Sequence, residues 1–275
     1  MWEYAGMFVV AFTVSAFGTI VGFGGGVFMV PILTLIFGIP IQIAIGCVIL
    51  ALFPSALIST VHNARRGSVD YLVGILLEIP TVVGTILGAW LTDYLPTWQL
   101  EILFSLMVMT AGGMMLRNGG SDHSSQLSFF KKLNKLPPRI ARKTANSVYE
   151  MSGITVIIFG LVSGMIAGLF GIGGGFIKGP LMVLGFGIPA RIAAPTALFM
   201  IVITSAVGST SHYLLGHIQW RIGLFLVLAF TLGALLGNLK AGTIAEEKLV
   251  RFIAAGLIAA GLAMAVFTIS QLKLK

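Results

Sequence analysis

Two glycine runs mark places where backbone rather than side chain could do chemistry: Gly22-Phe23-Gly24-Gly25-Gly26 and Gly171-Ile172-Gly173-Gly174-Gly175. Both lie inside long apolar segments. Consecutive glycines cost helix stability and leave peptide groups unpaired at membrane depth, which is tolerated only where the backbone is buried in protein or faces water. A short helix restarting near Val27, and another near Phe176, would aim free N–H groups and the positive end of its dipole back at the break. Gly24, Gly25, Gly26, Gly173, Gly174 and Gly175 are therefore candidate backbone donors to an anion. The competing reading is that the glycines only allow close helix packing. A dinucleotide-binding loop is excluded, because that fingerprint needs a preceding strand and a βαβ unit.

Charged side chains inside the apolar runs are few. Glu78 lies mid-segment in Leu76-Leu77-Glu78-Ile79-Pro80, and Lys178 lies just after the second glycine run. Each costs about 2.5 to 3.5 kcal/mol to place in hydrocarbon, so each is a functional candidate by default. Lys178 reads as the cation that attracts an anion, with a structural pair to Glu78 or snorkelling as rival readings. Glu78 is a candidate for proton coupling, against a hydrogen-bonded carboxyl beside the Pro80 kink. His62 and His212, at the ends of apolar segments, could titrate near neutral pH or donate to an oxyanion. Arg191 could attract anions at a pore mouth. Zinc is not expected, since no two histidines are read as having the spacing of a site, and the single cysteine, Cys47, can build neither a disulfide nor a cysteine-rich metal centre. No cofactor is called for.

The elements that must position these residues are membrane helices. Of the 275 residues, 57% are hydrophobic and 9% charged, with 35 glycines and a mean hydropathy of +1.02, against about 25% charged in a soluble domain. Apolar runs recur along the whole length, long enough at about 1.5 Å per residue to cross a hydrocarbon core of about 30 Å. Soluble enzymes, nucleic-acid binders and outer-membrane barrels are excluded. Eight segments are expected: 4–37, 41–61, 71–91, 100–116, 152–186, 192–215, 222–239 and 249–269. The net charge of +8 concentrates in one loop, where Arg117, Lys131, Lys132, Lys135, Arg139, Arg142 and Lys143 face one acid, Asp122. That is the signature of a cytoplasmic loop. The first segment is too long and too glycine-broken for a cleaved signal, so it is expected to stay.

The halves on either side of that loop superimpose at an offset of 149 residues, with ten of the 19 positions from Gly22 to Pro40 identical. The same offset carries Gly84 and Gly88 onto Gly233 and Gly237. The expected fold is thus an all-α polytopic membrane protein of about eight transmembrane helices in two homologous four-helix repeats, each beginning with a glycine-broken helix. The first repeat is residues 1–117, the basic cytoplasmic linker 118–148 and the second repeat 149–275. Broken segments at matching positions in duplicated halves point to a secondary transporter and to its binding site. If every long segment crosses once, both termini lie inside with the loop and the repeats are parallel. If each broken segment makes two crossings, the repeats are inverted and both termini lie outside. The first arrangement is expected.

The paired Gly-x-Gly-Gly-Gly-x-x-x-x-Pro segments, each followed by Phe-Gly-Ile-Pro, resemble those of the TauE/SafE family of sulfite exporters, also called toluene-sulfonate uptake permeases. The resemblance covers both halves and implies a multi-pass transporter, not an enzyme, that moves sulfite, organosulfonates or related sulfur-containing anions across the inner membrane. Lys178 departs from the plain glycine-rich pattern. The expected partners are a small anionic substrate, held between the broken segments, and the lipid bilayer, with a homodimer open and nucleic acid excluded. A cation or metal permease using Glu78, His62 and His212 is the rival reading, and an intramembrane acid-base hydrolase using the same three residues is a weaker one.

Overall fold

In the computed structural model the described residues are 2–118, 134, 136–144, 147–240 and 246–273. They form α1 (Trp2–Val21), α2 (Gly26–Leu35), α3 (Ile41–Arg65), α4 (Tyr71–Tyr94), α5 (Thr97–Asn118), strands β1 (Arg139–Thr144) and β2 (Ser147–Ser152), then α6 (Gly153–Phe170), α7 (Gly175–Phe186), α8 (Ala190–Leu214), α9 (Trp220–Lys240) and α10 (Glu246–Lys273). Eight helices are long and apolar enough to cross a membrane, and α2 and α7 are the short ones. At 1.5 Å per residue the 10 residues of α2 and the 12 of α7 reach only about half-way across a 30 Å core. Gly25 (φ +84) and Gly174 (φ +74) are the N-caps of these half-helices. That left-handed backbone is open to glycine at no steric cost.

Cross-helix contacts fix the direction of each element. Gly233 and Gly237 of α9 lie against Phe12 and Ala16 of α1, so those two run parallel. Cys47 and Ser59 of α3 reach Gln219 and Asn238, which sets α3 parallel to α9 as well. On the other side, Gly160, Gly164 and Gly168 of α6 rest on Leu77, Thr81 and Thr85 of α4, and Glu78 of α4 meets Thr204 of α8. Gly74 and Thr85 of α4 lie against Phe199 and Gly208 of α8 in the same order, so helices α4, α6 and α8 share one direction. It opposes that of α3, whose Gly46 and Ile49 lie against His217 and Gly208.

Since α1 and α3 run the same way, α2 must carry the chain back to the face from which α1 started. Helix α7 does the same in the other sense between α6 and α8. A single crossing by each broken segment is thus not what these helices do: α1 with α2 enters and returns, α6 with α7 enters and returns from the opposite face, and the two halves run in opposite senses. Hydropathy of a 34-residue run cannot register a reversal, because a glycine turn buried in protein is as apolar as the helices around it. Arg65, Arg66 and the segment entering α6 share one face, as expected, with Asp93 and the start of α5 on the other. Both ends of the described chain lie on the second face, opposite to the expectation that they sit with the basic loop.

Residues from the basic linker form a hairpin with the segment that enters α6. Strands β1 and β2 pair antiparallel from Arg139↔Ser152 to Thr144↔Ser147, and the hairpin buries Tyr149 and Met151 against Val73, Leu77, Met182 and Phe186. It sits over the ends of α4, α7 and α8, held by Asn134 Nδ2 donating to Gly185 O at 2.7 Å. Of the seven basic residues, Lys131, Lys132 and Lys135 lie outside the described residues.

Candidate functional site: two half-helices and a buried ion pair

The two glycine breaks meet in the interior. Gly26 packs against Leu52, Val48 and the backbone of Ile172, and Gly175 packs against Ile201 and the backbone of Phe23. Gly24 and Gly173 both touch the same two side chains, Leu52 of α3 and Ile201 of α8. Phe23 and Phe176 close the middle with an edge-on ring contact at 5.7 Å. All six candidate glycines are buried, and this is a closed arrangement with aliphatic and aromatic side chains filling the junction.

The first bonds of the half-helices run from Phe28 and Met29 N–H to Gly25 O, and from Ile177 and Lys178 N–H to Gly174 O. The N–H groups of Gly26 and Val27, and of Gly175 and Phe176, precede these and have no intrahelical acceptor. Two positive helix ends thus face each other at the junction. The same contacts show why glycine is required for packing as well. A Cβ on Gly25 would stand 2.6 Å from Val14 O, and one on Gly174 would stand 3.0 Å from Lys178 Cε and 3.2 Å from Ala167 Cβ. Packing and anion-cradle readings therefore apply to the same residues.

Lys178 brings its charge to this place. Its side chain lies against Gly174, within 3.5 Å of where a Cβ would stand, and is 2% exposed. The ammonium donates to Glu78 Oε2 at 2.7 Å and to Thr204 Oγ1 at 2.6 Å, while Thr204 donates to Glu78 or to Met200 O. Glu78 is 2% exposed. Both intramembrane charges singled out from sequence are therefore one buried pair, on α7 and α4, stapled by a hydroxyl of α8. Their counterparts at the 149-residue offset are Met29, Val227 and Ser55, so the pair, which joins the two halves, has no counterpart at the equivalent position.

The remaining candidates are dispersed. Arg191 is exposed at the start of α8, on the hairpin face. His62, near the end of α3, lies on that face too, with a buried Nε2 that has no hydrogen-bond partner in the structure. His212 lies on the opposite face, so the two histidines matched by sequence do not meet, as inverted halves require. Both ring nitrogens of His212 are engaged, Nε2 with Gly168 O at 2.8 Å and Nδ1 with His217 Nδ1 at 3.0 Å. His217 stands five residues from His212, a loop spacing discounted above. Among the described residues no group of three or more His, Cys, Asp or Glu side chains could hold a metal ion.

Sequence reasoning also missed Asp70. It N-caps α4 by accepting from Val73 N–H at 3.3 Å, receives the Tyr149 hydroxyl, and pairs with Arg142 Nε at 3.2 Å. Burial pushes its carboxyl up, but the hydrogen bonds from Tyr149, Arg142 and Val73 outweigh this and hold it below its ordinary value. An acid just before an apolar run is a legible N-cap signal; its tie to the hairpin is not.

A family model described as Sulfite exporter TauE/SafE matches residues 7–264. The chain is 30% identical to the probable membrane transporter protein YunE of Bacillus subtilis over 233 residues, covering 80% of this chain and 82% of that one. A probable membrane transporter protein of Methanocaldococcus jannaschii is 25% identical over 246 residues, 84% of each chain. Sulfite exporter TauE/SafE family protein 3 of Arabidopsis thaliana is 35% identical over 104 residues, 36% of this chain and 22% of that protein. No solved structure matches. With its multi-pass helices, its paired glycine breaks and a match across nearly its whole length, the chain belongs to the TauE/SafE family of membrane transporters.

Proposed function

We propose that the chain transports sulfite, an organosulfonate or a related small sulfur-containing anion, bound at the junction of the two glycine breaks. The observation that carries this reading is that two opposed helix N-termini and a buried ammonium, that of Lys178, converge there. A sulfur oxyanion spreads its charge over several acceptor oxygens, which suits donors arriving from two directions. The pair with Glu78 gives the cation a resting partner: an anion entering the junction competes with the carboxylate for Lys178, and protonation of Glu78 would free the ammonium. Access requires Leu52, Ile201, Phe23 and Phe176 to move apart, toward one face at a time.

On the positive-inside rule the face bearing Arg65, Arg66, Arg142 and Arg191 is cytoplasmic, in a cell inner membrane, with both termini outside. Export of an anion from a negative interior then gains about 2.3 kcal/mol per charge per 100 mV. The two halves are proposed to be repeats, a reading supported by the matched helix order and by breaks in equivalent places. The test is thermal stabilisation of the purified protein by sulfite, an alkylsulfonate and divalent cations in parallel. Stabilisation by the sulfur anions, lost in Lys178→Met, is expected. Stabilisation by cations alone would favour the permease rival and end this reading.

A further inference from the structure

On the face where α4, α6 and α8 end, a chain of hydrogen-bonding groups runs from the surface to the interior. Asp93 of α4 has a side chain 52% exposed, and its Oδ1 lies 3.4 Å from Nε2 of His217, which is 9% exposed. His217 Nδ1 meets His212 Nδ1 at 3.0 Å, and His212 Nε2 meets Gly168 O at 2.8 Å. His212 is wholly buried.

The hydrogens on this chain can be counted. A carbonyl oxygen only accepts, so His212 Nε2 carries a hydrogen. The contact between the two Nδ1 atoms needs one more. With both rings neutral that hydrogen sits on His217, whose Nε2 then turns a lone pair on the Asp93 carboxylate. One added proton removes the conflict, because an imidazolium at His217 donates from Nδ1 to His212 and from Nε2 to Asp93.

We propose that His212, His217 and Asp93 form a binding site for a single proton, loaded through Asp93 from the face that carries the chain termini. The loaded chain ties the ends of α4, α6 and α8 together, and its inner anchor, Gly168, lies three residues before the second glycine break. Loss of the proton sets His217 against Asp93 and loosens that clamp. This extends the transport reading above by naming the proton as coupling ion.

Few other charges bear on the pair. Helix α6 presents only the Gly168 carbonyl. On α3 the neighbouring group is Cys47, whose thiol is turned to Gln219 O. The ring of Tyr213 lies edge-on to Trp220, and Arg221, in the first turn of α9, is exposed. Burial lowers the pKa of His217, and the charge and hydrogen bond of Asp93 offset this only in part, so the net displacement is downward. The proton is therefore held on the acid side of the ordinary histidine range.

The test is an NMR titration of the full-length protein labelled with 15N-histidine, with the two rings assigned by His212→Gln and His217→Gln, and sulfite-induced stabilisation followed on the same preparations. One proton taken up by the two rings in a common step is expected, with the affinity cut about tenfold or more by Asp93→Asn while sulfite still stabilises. Rings that stay neutral at acid pH, or that titrate in separate steps indifferent to Asp93→Asn, overturn the site. A normal titration with no stabilisation by any sulfur anion overturns the substrate reading instead and leaves the proton site standing.

Discussion

Removing one partner of the Glu78–Lys178 pair should unbalance the membrane interior, and removing both should not. The two side chains are each 2% exposed and share Thr204 as a common neighbour. Deleting one charge from such a site leaves the other without a counter-ion, at a cost of about 3 to 5 kcal/mol, whereas replacing a buried pair by apolar residues of similar volume is often neutral or stabilising by about 1 to 4 kcal/mol. Lys178→Met is therefore expected to lose about 3 to 5 kcal/mol, a large part of the roughly 5 to 15 kcal/mol that holds a protein folded. At about 2 to 4 °C per kcal/mol this lowers the melting temperature by about 6 to 20 °C. Glu78→Leu with Lys178→Met should recover most of the loss, since Thr204 keeps its bond to Met200 O at 3.0 Å. Thermal unfolding in detergent of wild type, both single variants and the double variant closes the cycle. A single variant costing less than about 1 kcal/mol, or a double variant no more stable than the worse single, would refute the pairing argument. The recovered double variant should fail to move sulfite in vesicles, because stability returns without the cation.

Gly175→Ala should destabilise by crowding Ile201, and Ile201→Ala on the same chain should restore the melting temperature in part; no restoration would place the strain elsewhere. Gly25→Val should reduce both stability and anion affinity, because its Cβ would meet Val14 O at 2.6 Å at a φ of +84; lost stability with intact affinity in the folded fraction would remove the anion cradle. Asp70 has a carboxyl held below its ordinary value in the folded chain, so its contribution is present above the unfolded value of about 3.9 and lost as pH falls through the folded one. Wild type should therefore show an acid-side loss of melting temperature that Asp70→Asn lacks, and equal acid slopes would contradict the assignment. With Cys47 replaced by alanine, Arg66→Cys and Gln271→Cys should react with membrane-impermeant thiol reagents from opposite faces; labelling from one face would overturn the helix directions.

Much of this was readable from residues alone. Hydropathy located the eight long helices, and the glycine runs located both breaks, because unpaired peptide groups in hydrocarbon leave a composition signal. Glu78 and Lys178 were equally visible, since any charge in such a run is conspicuous. Their contact was not, because they stand 100 residues apart and only the packing of α7 and α8 on α4 brings them together. His217 escaped notice for a different reason: it lies in a turn, where a histidine is unremarkable until a buried neighbour is placed against it. The hairpin lay in a stretch dense with breakers, and its hydrophobic anchors, Tyr149 and Met151, are too few to give a strand pattern.

The glycine-lined seams between α4 and α6 and between α1 and α9 bear on how this molecule can come apart. Each seam joins a helix from before the linker to one from after it, and in each the backbones approach so closely that no side chain fits between them. Each half thus lends its leading helix to the other, the geometry of a domain-swapped dimer fused into one polypeptide. Neither half expressed alone would find a cover for its glycine groove. A rigid body that swings during a transport cycle is then built from helices of both halves, with the chain crossing from one body to the other at the two glycine breaks.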